Sequence, residues 1–149
     1  MSEAEKGQVN ATAAESYEAF FVPALFAEPA RKAVGAANLK PGSKVLDVAC
    51  GTGVVARAAS GVVGAEHVSG VDLNPVMLAV ARAKAPDVSW HEAPAEKLPF
   101  ADVSFDAVFC QFGLMFFEDR AAALREMWRV LRPGGVLAVA VWDKVETSP

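Results

Sequence analysis

The sequence is poor in the residues from which metal and redox centres are built. Its 149 residues contain two cysteines, Cys50 and Cys110, and two histidines, His67 and His91. Two widely separated thiols make no zinc or cluster framework, so no metal site is expected. Both are read as reduced, small buried residues at strand ends. An excess of positive charge is also missing: 14 Lys and Arg against 18 Asp and Glu leave a net charge of −4. Basic residues gather only at Arg31-Lys32 and at Arg129/Arg132. A nucleic-acid partner usually requires a basic stripe that neutralises phosphates, so none is expected here. Long apolar runs are absent as well. The longest, Gly134 to Trp142, is strand-sized, against the roughly 20 residues of a membrane-spanning helix, so no membrane span is expected. Met1 to Asn10 is polar and mixed in charge, unlike the basic start and apolar stretch of a secretory leader. The expected location is therefore cytoplasmic.

What remains is an apolar, one-domain chain with 53% hydrophobic and 21% charged residues. Ala13 to Phe21 has helical character, with Tyr17, Phe20 and Phe21 near one face. Pro23 is expected to interrupt that helix and Pro29 to start a second one running to about Ala37. After Gly42 the pattern alternates. Short apolar runs at Lys44–Ala49, His67–Asp72, Val88–His91, Phe105–Cys110 and Val136–Trp142 read as strands. Helices are expected at Val54–Ala59, Pro75–Ala85 and Arg120–Leu131, the last stopped by Arg132-Pro-Gly-Gly135. Strands separated by helices predict an α/β, Rossmann-like doubly wound parallel sheet of about five strands in the order 3-2-1-4-5. The expected organisation is an N-terminal helical segment, 1–38, and an α/β core, 39–149. Seven residues follow the fifth strand, which is too apolar for an open sheet edge. Downstream sequence or a second copy of the chain is expected to cover it, the latter giving a homodimer through that strand.

The strongest chemical signal is Asp47-Val-Ala-Cys-Gly51-Thr-Gly53, with Asp72 nineteen positions after Gly53. Two glycines at a strand-to-helix turn allow a tight bend and leave room for a ligand against the backbone. An acid ending the next strand suits a ribose, because a carboxylate can accept from both vicinal hydroxyls. Together they predict an adenosine-type ligand at the switch point of the sheet. Gly51-x-Gly53-x-x-Ala56 also fits the dinucleotide fingerprint, so NAD(P) stands as a competing ligand. Asp47 opposes it, because a carboxylate beside the turn repels a pyrophosphate and attracts a cation.

Five segments then occur in order: Val45-Leu-Asp-Val-Ala-Cys-Gly-Thr-Gly53, Gly70-Val-Asp-Leu-Asn74, Ala95-Glu-Lys-Leu-Pro-Phe100, Ser104-Phe-Asp-Ala-Val108 and Arg129-Val-Leu-Arg-Pro-Gly-Gly135. This series resembles the type 11 group of class I S-adenosylmethionine-dependent methyltransferases, which includes quinone-biosynthesis C-methyltransferases and many small-molecule enzymes. The resemblance spans about Leu39 to Trp142. It implies S-adenosylmethionine as cofactor, S-adenosylhomocysteine as product and a small-molecule acceptor. The alternatives are a non-catalytic cofactor-binding fragment or, less favoured, an NAD(P)-binding oxidoreductase domain.

The resemblance implies roles residue by residue. The loop Ala49, Cys50, Gly51, Thr52, Gly53 would hold the methionine part, with Asp47 organising its ammonium. Asp72 would bind the ribose and Leu73 would pack on the adenine, whose edge would meet Ala95 and Glu96. Cys110 and Gln111 would floor the site below the transferred methyl. Tyr17 and Phe21 would fold over the cofactor from the N-terminal segment. The family's usual Asp before the Ala-Glu pair is Pro94 here, and its first loop glycine is Ala49. Cys110 lacks the preceding proline of cytosine-C5 enzymes, and no Asn/Asp-Pro-Pro-aromatic tetrad of adenine amino-group enzymes follows the fourth strand. No catalytic base stands out: His67 begins a strand away from the site and His91 lies near the adenine loop. The family normally continues past the fifth strand, so the core is expected to be truncated there.

Overall fold

Val45–Val48, the first strand, is buried along its whole length, as a central parallel strand covered on both faces must be. In the computed structural model, which describes residues 11–142, it is β1. The others are β2 (Val68–Asp72), β3 (Ser89–Glu92), β4 (Phe105–Gln111) and β5 (Leu131–Ala140). They form one sheet in the order β3-β2-β1-β4-β5, and every pairing is parallel. The expected fold class and strand order are therefore those of the protein. The readings of Met1 to Asn10 as no leader and of the chain end at Pro149 lie outside the described residues.

The period of two along each strand sorts the core into two layers. Val45, Ala107 and Phe109 point to the face covered by α2 (Ala27–Ala36) and α3 (Val54–Val63). Leu46, Val48, Val108 and Cys110 point to the other face, covered by α5 (Arg120–Val130) and the loop carrying Ala95 and Leu98. Asp47 falls on the first face with Val45, under the start of α3. The chain leaves β1 towards β2 on one side and returns to β4 on the other, so a crevice opens at the carboxyl ends of β1 and β4.

Local chemistry starts the crossover helices. Asn74 caps α4 (Pro75–Lys84), its side-chain oxygen accepting from the N–H groups of Val76 and Met77 at 3.0 and 3.3 Å. Pro75 occupies the first turn, where its missing N–H is not needed. Such a cap contributes about 1 kcal/mol. Asp119 caps α5 in the same way, accepting from Ala122 N–H at 3.0 Å.

Several boundaries differ from the sequence reading, among them the end of α3, which runs to Val63 instead of Ala59. His67 lies in a 3-10 turn, Ala65–His67, and the strand begins at Val68. β3 runs one residue later than expected, Ser89–Glu92. β5 begins at Leu131, directly after α5, so Arg132-Pro-Gly-Gly135 is inside the strand. The register explains this: Leu131 pairs with Phe105 and Val136 with Ala107, so the Pro-Gly-Gly segment is a bulge that the partner strand skips.

The N-terminal segment corrects the sequence more deeply. Pro23 does not end the helix. α1 (Ala11–Ser16), a ten-residue π-helical stretch (Tyr17–Phe26) and α2 follow one another without a break. In an α-helix the proline ring collides with the carbonyl four residues back. In the π stretch the pairing shifts by one, as Ala27 N–H donating to Val22 O illustrates, and the widened turn gives the ring room.

Candidate functional site

The glycine loop after β1 is built on left-handed backbone. Ala49, Gly51 and Gly53 have φ of 55°, 55° and 86°, a region open to glycine and strained by about 1–2 kcal/mol for a residue with a Cβ. Ala49 occupies it nonetheless. Gly53 serves a second purpose: a Cβ there would overlap the Trp90 indole, as it would at Gly70. Trp90 of β3 lies under the loop and across β2, and its Nε1–H donates to Ala85 O at 2.9 Å. Within the loop, Gly53 N–H donates to Cys50 O at 2.8 Å and Cys50 N–H to Val71 O at 3.0 Å.

Two carboxylates flank this loop. Asp72 ends β2; its Oδ2 accepts from Gly51 N–H and its Oδ1 from Asn74 N–H, both at 2.8 Å. Burial raises its pKa, and the N–H groups of Asn74, Gly51 and Leu73 pull the other way. Asp47 is 2% exposed, with Oδ2 accepting from Ala56 N–H at 3.0 Å. Burial pushes its pKa to about 7, opposed by that hydrogen bond, raised further by Asp72 and lowered by Arg57. Asp47 is therefore a carboxyl poised between its charged and neutral forms at neutral pH.

The cysteines match the inert reading. Both thiols are free and buried. Burial first, then the charge of Asp47, raises both: Cys110 to about 12 and Cys50 well above its ordinary value. Neither is a nucleophile near neutral pH. Leu73 stands 65% exposed just past Asp72, while Ala95 is buried and Glu96 half-buried in the turn after β3. That turn adjoins the end of β2, since Ala93 N–H donates to Asp72 O at 3.1 Å. Its descending limb is held by α5. Arg129 donates to the carbonyls of Phe100 at 2.9 Å and Leu98 at 3.2 Å, and Glu126 accepts from Leu98 N–H at 2.9 Å. His91 sits edge-on to Phe100, and His67 is at the opposite end of β2 from Asp72.

On the β4 side, Gln111 Nε2 donates to Phe26 O at 3.1 Å, while its buried Oε1 has no partner among the described residues. Phe112 follows with a φ of 57°, which swings its ring onto Trp142 in a parallel stack at 4.2 Å. Phe26 packs against both, and Tyr17 stacks on Phe26 at 5.4 Å. Phe26 and Trp142 thus join the wall that Gln111 and Phe112 begin. Tyr17 is pushed up to about 12 by burial, then by the charges of Glu18, Asp47 and Asp72, so its phenol lies in the field of both loop carboxylates. Phe21 is close to Tyr17, at 6.3 Å, but half of it faces solvent.

The sequence reading missed four residues: Glu18, Phe26, Arg57 and Trp90. Glu18 Oε2 accepts from Thr52 Oγ1 at 2.7 Å, and its Oε1 pairs with Arg57 and, at 3.9 Å, with Lys84. No local pattern announces these contacts, because Glu18 and Thr52 are 34 residues apart. For Trp90 the signal was its pairing opposite Gly70 on the neighbouring strand.

A family model for a methyltransferase domain, the type 11 group, matches residues 46–139, from β1 to β5. The chain belongs to the type 11 methyltransferase domain family. The demethylmenaquinone methyltransferase of Chlorobaculum parvum is 52% identical over 92 residues, covering 62% of this chain and 38% of that protein. The ubiquinone/menaquinone biosynthesis C-methyltransferase UbiE of Shewanella woodyi is 42% identical over 121 residues, covering 76% and 48%. This methyltransferase domain thus spans less than half the length of these curated relatives. A solved SAM-dependent methyltransferase from Aquifex aeolicus shares its fold, with a TM-score of 0.77 at 24% identity over 95% of this chain and 79% of that one. No helix among the described residues is long and apolar enough to cross a membrane.

Proposed function

We propose that this methyltransferase domain binds S-adenosylmethionine across the carboxyl ends of β1 and β2 and serves a small-molecule methyltransferase of the cytoplasm. The observation that carries this reading is the pair of carboxylates, Asp47 and Asp72, on either side of a loop with a bare glycine backbone. Asp72 suits the ribose of either ligand, whereas Asp47 suits one that carries an ammonium and a sulfonium and opposes a pyrophosphate. Gly51 N–H, which a dinucleotide phosphate would need, already donates to Asp72. NAD(P) is therefore the weaker fit.

In this reading Asp72 keeps lone pairs for the ribose hydroxyls, Leu73 covers the adenine, and Ala95 and Glu96 line its edge. Ala49, Cys50, Gly51, Thr52 and Gly53 receive the methionine part, with the charge of Asp47 beneath it. Tyr17 and Phe21 cover the ligand, while Cys110 and Gln111 form the floor towards the acceptor. The cofactor, when bound, supplies an activated methyl and departs as S-adenosylhomocysteine. The protein orients the two partners and keeps water out, which the wall of Phe26, Phe112 and Trp142 favours. The quinone-methylating relatives and this aromatic wall both point to a flat, apolar acceptor such as a hydroquinone.

Calorimetric titration with S-adenosylmethionine, S-adenosylhomocysteine and NAD tests the cofactor. Micromolar binding of the first two is expected, weakened by roughly 1–3 kcal/mol in Asp72→Ala, as loss of a buried charged partner should. Binding of NAD alone would overturn the reading. Transfer of labelled methyl to a reduced quinone tests the acceptor. Cofactor binding without transfer to any acceptor would leave the domain as a binding module.

A further inference from the structure

Outside the two loop carboxylates, one acid has no part in the reading above yet touches the loop, through Thr52. Glu18, at the start of the π stretch, is only 9% exposed at its side chain, although it comes from a segment otherwise turned to solvent. Of the ten residues Tyr17–Phe26 only Val22 is buried, and Phe20, Phe21 and Leu25 are 72%, 52% and 46% exposed. Apolar anchoring is confined to Val22 and to Phe26, which packs on Phe112 and Trp142 with Tyr17 stacked on it. Two polar attachments add to it. At one end Glu18 grips Thr52, Arg57 and Lys84. At the other, Phe26 O accepts from Gln111.

The first attachment reaches into the glycine loop itself. Thr52 is 1% exposed, and its single hydroxyl proton is committed to Glu18. Arg57 lies one helical turn beyond the loop, its N–H donating to Gly53 O at 2.8 Å. One carboxylate thus joins the middle of the loop, the first turn of the helix behind it, and the segment lying above. We propose that Glu18 is a positioning residue for the cofactor loop: it couples the shape of Gly51–Gly53 to the docking of Tyr17–Phe26, so that segment and loop order and loosen together. The proposal rests on the cofactor reading only for its consequence, that ligand affinity includes the docking of this segment. A charged hydrogen bond and an ion pair shielded from water are strong enough for this, where an exposed pair would not be.

The test has a ligand-free arm and a ligand arm, both on the full chain. Amide hydrogen exchange is measured at Gly51–Gly53, across 17–26, and in α5 as an internal control. Glu18→Ala is expected to speed exchange ten-fold or more at the loop and the segment together, leaving α5 unchanged. Glu18→Gln, which keeps an acceptor for Thr52 but loses the charge, is expected to fall between. Thr52→Val removes the hydroxyl at constant volume, leaves the Arg57 pair intact, and decides the matter should Glu18→Ala not fold. In the ligand arm each substitution is expected to weaken S-adenosylhomocysteine about ten-fold, and the Glu18→Ala/Thr52→Val double variant no more than about two-fold further, the mark of one shared contact. Unchanged loop exchange in the variants, or losses that multiply in the double variant, would overturn the coupling. An unsubstituted chain that binds no S-adenosylhomocysteine would defeat the cofactor reading instead, and the exchange arm would still judge Glu18.

Discussion

The two sides of the crevice are built on different principles. After β1 and β2 the two carboxylates are matched to backbone: Asp72 accepts two N–H groups, Asp47 accepts one, and the loop closes on its own carbonyls. After β4 and β5 the surfaces are aromatic, and the buried Gln111 Oε1 has no partner among the described residues. The first side is preorganised by hydrogen bonds whose geometry allows little variation. The second is a stack of rings with one unanswered acceptor, which can suit many flat partners. In the reading proposed above, one fold thus keeps a constant cofactor half beside a changeable acceptor half.

Substitutions on the two sides test that contrast. The largest effect is expected on the rigid side from Gly53→Ala. It combines a left-handed φ with overlap on Trp90, and should lower unfolding stability by roughly 2–4 kcal/mol, read by urea denaturation. Next comes pH. The raised Asp47 has bound its proton more tightly in the folded chain than in the unfolded one. Its contribution to stability is full below its unfolded pKa, near 3.8, and is lost as pH rises through about 7. In the proposed reading the ligand's ammonium lies by Asp47 and favours its ionised form, so binding has the opposite slope. Affinity for S-adenosylhomocysteine should rise between pH 6 and 7.5, by up to about ten-fold per unit, and then level off. Asp47→Asn should flatten that profile; a profile unchanged by the substitution would show that another group titrates.

Effects on the aromatic side should be smaller. Trp142→Ala forfeits one parallel stack and one edge contact, about 1 kcal/mol in thermal or urea unfolding. Gln111→Met removes an acceptor without a partner among the described residues, together with one hydrogen bond to Phe26. It is expected to stay within about 1 kcal/mol of the parent. A loss as large as that of Gly53→Ala would show that the two sides are equally rigid and end the contrast.

Local patterns announced the rigid side because they created it. The short apolar run of β1, the glycines after it and Asp72 at the end of β2 all lie within short stretches of chain, and sheet order follows from how parallel crossovers run. The failures have physical causes too. Pro23 reads as a helix break because proline is incompatible with an α-helix, and nothing in sequence marks a π stretch that accepts it. Pro133-Gly134-Gly135 reads as a stop, yet the skipped register opposite Phe105 and Ala107 absorbs it as a bulge. Glu18 is invisible because its partners lie beyond the reach of any local rule. Trp90 reads as an ordinary strand residue until Gly70 is seen across from it.

The anchoring of the 98–102 limb by Glu126 and Arg129 also has a consequence in time. The glycine loop and Asp72 are synthesised early, but this limb has no fixed course until the last turn of α5 exists to hold Leu98 and Phe100. A nascent chain that has emerged only through β4 would carry the chemical groups of the site beside an unanchored wall. In the proposed reading, competence to bind therefore waits for α5, some distance in sequence from the residues proposed to hold the ligand.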